Sequence, residues 1–124
     1  MPETLPEKLM LAPGVRARLL NVPKAVRPLF DPLPDGVQVN ESGAEPAGWL
    51  MVFLKDRAAL DAFATVAVSE VAYDGVLWIA HRDGLDDAMV KQAMEPFGFD
   101  AVAAVAVDGT WSALRFRPKE RVGA

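Results

Sequence analysis

The sequence contains no cysteine and only one histidine, His81. Without cysteine the chain can form no disulfide, no thiolate nucleophile and no zinc site of the cysteine type. A metal site built on two histidines is excluded by the single imidazole. We therefore expect no bound metal, and nothing in the sequence indicates an oxidising compartment.

Clustered basic residues and long apolar runs are also missing. The 13 lysines and arginines are spread along a chain with a net charge of -4, which lacks the positive patch that nucleic-acid binding requires. The longest apolar run is far shorter than the roughly 20 residues that cross a bilayer. The first residues carry acids and prolines instead of the basic segment of a signal peptide. We therefore expect a soluble cytoplasmic protein with no nucleic-acid partner and no membrane partner.

The composition is that of an ordinary globular domain. Hydrophobic residues make up 52% and charged residues 24% of the 124 residues, and this length suits one domain with one core. Pro118 follows the last predicted strand and ends its hydrogen-bond ladder. We predict a single domain over residues 1–118 and a mobile C-terminal tail over residues 119–124.

The fold is predicted to be organised around residues 49–54, an uninterrupted apolar run between Gly48 and Lys55. Such a run is typical of a central strand that is buried on both faces. Asp56 is a suitable N-cap for a helix over residues 57–71, and a second apolar run follows at residues 75–80 after a turn at 73–75. Strand, helix and strand in this order predict a parallel βαβ unit with a right-handed crossover.

The flanking segments complete an α/β pattern. We predict a short helix from Thr4 to about residue 11, strands at 15–22 and 37–40, and a helix that begins near Asp86 and turns Leu85, Met89, Ala93 and Phe97 toward the sheet. Residues 101–107 and 110–117 predict a hairpin joined by a two-residue primed turn at Asp108-Gly109. The predicted fold is a three-layer, mostly parallel, Rossmann-like sheet that ends in an antiparallel hairpin.

This order of elements resembles a shortened class I methyltransferase fold, in which the final strand lies antiparallel beside its neighbours. The segments PGVR at 13–16, LLNVP at 19–23, GVLW at 75–78 and VDGTWSAL at 107–114 resemble a family of small bacterial proteins catalogued as domain of unknown function 3052. The resemblance covers about residues 9–118 and implies a Rossmann-like sheet. It carries over no activity, since the family has none established.

The loop after the first strand lacks the residues that a cofactor requires. Methyltransferases and dinucleotide enzymes need glycines there, so that backbone N–H groups can approach the cofactor. Residues 21–26 contain no glycine, and Val22 and Pro23 stand where the cofactor would lie. We therefore expect no cofactor and assign no catalytic residue.

Polar residues nevertheless follow several strands at one edge of the predicted sheet. Open α/β sheets bind their ligands where the carboxyl ends of the strands meet. The candidate residues for such a crevice are Asn21, Glu41, Lys55, His81 and Asp108. One hypothesis is therefore a small-ligand or nucleotide binder, or a degenerate methyltransferase-like enzyme, that uses this crevice.

The outer side of the predicted helix 57–71 indicates a different function. Ala62, Val66 and Val68 widen its apolar sector beyond one packing face. The other hypothesis, which the sequence favours, is a non-enzymatic interaction or regulatory module that forms a homodimer through this face or binds an unidentified protein. Of the three tryptophans, Trp49 and Trp78 are predicted to pack helices onto the sheet and Trp111 to anchor the hairpin.

Overall fold

The computed structural model describes residues 4–31, 33–40 and 45–122. Its helices are α1 (Leu5–Lys8), α2 (Arg57–Glu70) and α3 (Asp87–Met94), with 3-10 turns at Arg27–Phe30, Glu95–Phe97 and Lys119–Arg121. Its strands are β1 (Arg16–Leu20), β2 (Gln38–Asn40), β3 (Ala47–Leu54), β4 (Val71–His81), β5 (Phe99–Ala106) and β6 (Ser112–Pro118). Within these residues no helix is long and apolar enough to cross a membrane.

The strands form one sheet in the order β2-β1-β3-β4-β6-β5. The first four strands pair in parallel, and β6 lies between β4 and β5 and runs antiparallel to both. Helices α2 and α3 cover one face, and the N-terminal segment with α1 and the Arg27–Phe30 turn covers the other. This is the mostly parallel α/β sheet with an antiparallel hairpin that the sequence predicts.

Strand β3 occupies the centre of this sheet. Its side chains from Trp49 to Leu54 are all at most 2% exposed, so the strand is buried on both faces, as its apolar run predicts. Alternate residues divide between two clusters because successive side chains point to opposite faces. Leu50, Val52 and Leu54 pack beneath α2 and α3, while the odd-numbered residues face the N-terminal segment.

The N-terminal segment is attached to the sheet by two tryptophans. Trp49 and Trp78 lie on the neighbouring strands β3 and β4, and their indole Nε1 atoms donate to the same carbonyl oxygen of Leu9 at 2.8 and 2.7 Å. Both rings are at most 1% exposed. Their role is therefore to fix the segment after α1 on the sheet, where a buried indole finds the acceptor that it needs.

Arg18 is buried in β1, although an arginine near the start of a strand looks like a surface residue in the sequence. Its side chain is 2% exposed; Nη1 donates to Glu70 Oε1 at 2.9 Å and Nη2 to the Glu45 carbonyl at 2.7 Å. The sequence pattern missed this because the partners lie 52 and 27 residues away. The guanidinium joins β1 to the end of α2 and to the segment before β3.

Helix α2 closely follows its predicted range. The Asp56 carboxylate accepts the Ala59 N–H at 2.8 Å, which caps the first turn. The predicted face of α3 is right in part: Leu85 is buried and Met89 and Ala93 pack against the core, but Phe97 is exposed. The fully buried residues of the helix are Val90 and Met94, which are not among the residues predicted to face the sheet. The Glu95–Phe97 turn ends the helical periodicity after Met94, so Phe97 does not continue the buried stripe.

The predicted turn at Tyr73-Asp74-Gly75 is also wrong, because α2 passes directly into β4. These residues form an irregularity within the strand, where the register with β3 shifts. Asp74 has a φ of 54°. A Cβ on Gly75 would lie 3.0 Å from the carbonyl oxygens of Ala72 and Gly48, so any other residue here would require this backbone to shift.

The hairpin of β5 and β6 is confirmed, but its turn is not the two-residue type. Neither Asp108 nor Gly109 is among the described residues with the positive φ that a primed turn requires at both central positions. The loop is longer: the Val107 N–H donates to the Trp111 carbonyl at 2.9 Å. The Asp108 carboxylate accepts the N–H groups of Thr110 and Trp111, each at 2.7 Å.

Residues 119–121 form contacts with the domain. Arg121 Nε donates to Asp74 Oδ2 at 3.0 Å, and Arg117 binds both oxygens of the same carboxylate at 3.1 Å. The hydrogen bond from Arg117, reinforced by Arg121, lowers the pKa of Asp74 although partial desolvation opposes it. Lys119 pairs with Glu95. Residues 119–121, which the sequence assigns to the C-terminal tail, thus form a turn with contacts to Asp74 of β4 and to Glu95 after α3.

Candidate functional site

A cavity of about 470 Å³ opens at the edge of the sheet where the parallel strands β1, β3 and β4 end. Its walls combine a few polar groups with aromatic and aliphatic ones. The lining residues are Asn21, Pro23, Phe53, Lys55, Ala59, Phe63, Arg82 and Trp111. This is the edge at which open α/β sheets bind ligands.

The pairing of β3 and β4 determines where the two cations lie. Leu54 and His81 are partners in the parallel register and are the last residues of their strands. Lys55 and Arg82 therefore follow at equivalent positions, on the same side as Phe53. A tight turn, in which Leu85 N–H donates to the Arg82 carbonyl at 3.1 Å, directs the chain away after Arg82.

Trp111 forms the aromatic wall of the cavity. Its ring is 6% exposed and packs edge-on against Phe53, with the centroids 5.2 Å apart and the planes at 80°. The Arg82 guanidinium lies 5.8 Å from the centre of the Trp111 ring, within the range of a cation–π contact. The Asp108 carboxylate binds the Trp111 N–H, so the loop that carries the ring is itself held in place.

The structure brings together only part of the predicted crevice. Asn21, with a φ of 60°, and Lys55 line the cavity. Glu41 lies outside the described residues. His81 is 8% exposed and its Nε2 lies 2.7 Å from Asp87 Oδ1, and it is not a lining residue. Asp108 shapes the hairpin loop instead of facing the cavity.

Arg82 is not among the residues that the sequence predicts for this site, and Trp111 is predicted only to anchor the hairpin. The signal for Arg82 was its position directly after a strand, which it shares with Lys55. Phe53 and Phe63 give no comparable signal, because an aromatic residue in a buried strand or helix has the same pattern whether it packs in the core or borders a cavity. Within the described residues, no group of three or more carboxylate or imidazole side chains is placed to hold a metal ion.

The fold is similar to that of solved methyltransferases. TrmN from Thermus thermophilus has a TM-score of 0.66 at 12% identity, over 92% of this chain and 47% of that chain. The ribosomal protein L11 methylase from Lactobacillus delbrueckii subsp. bulgaricus has a TM-score of 0.62 at 10% identity, over 93% of this chain and 75% of that one. The tRNA methyltransferase TrmK of B. subtilis has a TM-score of 0.61 at 7% identity, over 94% and 66%. The chain thus has a class I methyltransferase-like Rossmann fold.

These similarities concern the fold alone, since a shared fold does not transfer an activity. The chain spans about half the length of the Thermus thermophilus protein. No family model matches the chain, and neither does the sequence of any curated protein.

The loop after β1 does not fit the S-adenosylmethionine that such a fold implies. Binding at this loop needs free backbone N–H groups and a close approach of the chain. Pro23 has no N–H, and its carbonyl accepts the N–H groups of Val26 and Arg27 at 3.0 and 3.1 Å. The N–H groups of Val26 and Arg27 are therefore occupied, and residues 21–26 contain no glycine that would let a cofactor approach the backbone closely.

Proposed function

We propose that this protein is a non-enzymatic module that binds a small molecule in the cavity at the carboxyl edge of β1, β3 and β4. The cavity itself is the observation that supports this function. Its volume of about 470 Å³ falls within the range of about 300–1,000 Å³ that ligand sites occupy. Its wall has the usual composition of such sites, mostly apolar with a few polar groups.

The bulky side chains next to this edge of the sheet do not fill the cavity. Phe30 is fully buried in the core below, and Val22 packs against the same cluster. Pro23 forms one wall of the cavity without filling it. The methyltransferase-like sheet therefore keeps a ligand site while the loop next to it has lost the features that hold S-adenosylmethionine.

The test is thermal unfolding with S-adenosylmethionine, nicotinamide dinucleotide, adenosine monophosphate and phenyl phosphate. A ligand at about 100 times its Kd adds about 2.7 kcal/mol to the free energy of unfolding and raises the Tm by several degrees. We expect at least one of the two phosphate monoesters, adenosine monophosphate and phenyl phosphate, to raise the Tm and S-adenosylmethionine to leave it unchanged.

A variant that fills the cavity tests whether the ligand-induced rise in Tm comes from binding at this site. Ala59 lines the cavity in the first turn of α2, so Ala59→Phe should abolish the ligand-induced rise in Tm. Ala88→Phe makes the same change at an exposed position of α3 and should preserve it. A rise with S-adenosylmethionine, or no rise with any of the other three compounds or with phenylacetate, would contradict the proposal.

Self-association through the outer side of α2 is a second proposal. Ala58 and Ala62 are exposed on this side in line with Val66, which supports an apolar contact between two copies. Val66 and Val68, however, also pack against the core, so Val66→Glu would destabilise the monomer as well. Ala62 is therefore the position at which association can be tested alone.

We expect Ala62→Glu to lower the mass measured by light scattering from that of a dimer to that of a monomer, without changing the Tm extrapolated to low concentration. The matched control is Ala88→Glu on α3, which should stay dimeric. A wild-type protein that is monomeric at concentrations of tens of micromolar would remove the basis of this proposal.

A further inference from the structure

The geometry points to a small organic anion, a carboxylate or phosphate carried on a flat apolar body, as the class of ligand that the cavity binds. This inference rests on the proposed function, since it describes the ligand of the same site. The observation that supports it is the position of Lys55 and Arg82. Each directly follows the last paired residue of its strand, and both line the same cavity.

Two positive charges in this arrangement repel each other. Like charges that line one partly enclosed cavity repel each other more strongly than they do in open water. Neither Lys55 nor Arg82 forms an ion pair among the described residues, and within that part of the chain they are the only charged residues that line the cavity. In a chain with a net charge of -4, this leaves a local positive site.

The nearest carboxylates along the chain do not neutralise this site. Asp56 follows Lys55, but its side chain caps α2 through the Ala59 N–H at 2.8 Å. Asp83 follows Arg82 and is exposed, and neither acid lines the cavity. A bound anion would supply the negative charge that the described residues do not place there.

The remaining wall indicates the rest of the ligand. Arg82 is held beside the Trp111 ring, and a guanidinium fixed in this way can bind the two oxygens of a carboxylate or phosphate together. Phe53, Phe63 and Pro23 offer apolar surface next to the two cations. Asn21 adds an amide that can both donate and accept a hydrogen bond.

The inference is tested by calorimetric titration of the full chain with phenyl phosphate, phenylacetate and the neutral benzyl alcohol. These probes share one ring and differ in charge, and the comparison of the two anions separates a phosphate ligand from a carboxylate ligand. We expect the better anion to bind about tenfold or more tightly than benzyl alcohol. Lys55→Gln and Arg82→Gln should each weaken its binding about tenfold, whereas Lys91→Gln on α3 should leave it unchanged.

Stability without ligand gives a second readout. Because the two cations repel each other, Lys55→Gln should raise the Tm at low ionic strength. This gain should disappear in high salt, where the repulsion is screened. Lys91→Gln removes the same charge elsewhere and should produce no such gain.

Three results would overturn the inference. Benzyl alcohol binding as tightly as both anions would leave the small-molecule site intact but remove its selectivity for anions. Unchanged anion binding in both Lys55→Gln and Arg82→Gln would show that these two cations do not bind the anion, and would likewise leave only an unselective small-molecule site. Failure of all three probes to bind would overturn the inference, and the separate cofactor and nucleotide panel would then decide whether the cavity binds any small molecule.

Discussion

Replacing both Trp49 and Trp78 with phenylalanine is expected to lower the free energy of unfolding by about 5 kcal/mol, more than the sum of the single replacements. Each single variant should lose about 1.5 kcal/mol, because a smaller ring leaves a small void and one hydrogen bond is lost. In either one, the remaining indole still donates to the Leu9 carbonyl. The double variant leaves this buried acceptor without either donor, which costs a further 1–3 kcal/mol or so.

The measurement is a double-mutant cycle by urea unfolding. A coupling free energy of about 1–2 kcal/mol would show that the two indoles serve the same acceptor. Strictly additive losses would contradict this, since they would mean that each tryptophan stabilises the protein independently of the other.

Removing the Arg18 side chain should lower the free energy of unfolding by about 3 kcal/mol. In Arg18→Ala the Glu45 carbonyl loses its hydrogen-bond donor, and Glu70, whose side chain is 30% exposed, loses its ion-pair partner. Arg18→Met keeps most of the buried volume and should lose less. The reason is that a buried ion pair recovers little more than its desolvation cost, whereas one unpaired member is expensive.

Arg16 provides the matched control on the same strand. Its side chain is 50% exposed and pairs with Glu45 at the surface, so Arg16→Ala should change the free energy of unfolding by less than about 1 kcal/mol. Urea unfolding of the two alanine variants compares a buried pair with an exposed one. Equal losses for Arg16→Ala and Arg18→Ala would contradict the role assigned to Arg18.

The sequence predicts those parts of the fold that depend on local pattern. The continuous apolar run of β3 is typical of a buried strand, and the capped segment after Asp56 has the spacing of apolar residues that is typical of a helix. The predictions are wrong where burial or backbone conformation depends on contacts that the local pattern does not show. Arg18 looks like a surface residue until Glu70 is beside it, and the turn at Asp108 depends on backbone angles that its side chain sets by binding the Trp111 N–H.

The candidate site was predictable to a similar extent. The edge of the sheet follows from the strand order, so Asn21 and Lys55 could be named from sequence. His81 could not be excluded, because its hydrogen bond to Asp87 depends on where α3 begins. Whether a cavity exists at all depends on how Pro23, Phe53 and Trp111 pack, and no periodicity in the sequence reports the space between them.

The central claim is that this cavity binds a small anion and not S-adenosylmethionine, and the indole resonances of the three tryptophans test it most directly. In separate nitrogen-15 NMR titrations with phenyl phosphate and phenylacetate, the Trp111 indole signal should shift in a saturable way with at least one of them, because this ring borders the cavity. The Trp49 and Trp78 signals should stay in place, because both indoles are bound to Leu9 in the core. A saturable Trp111 shift with S-adenosylmethionine, or none with either phenyl phosphate or phenylacetate, would contradict the account.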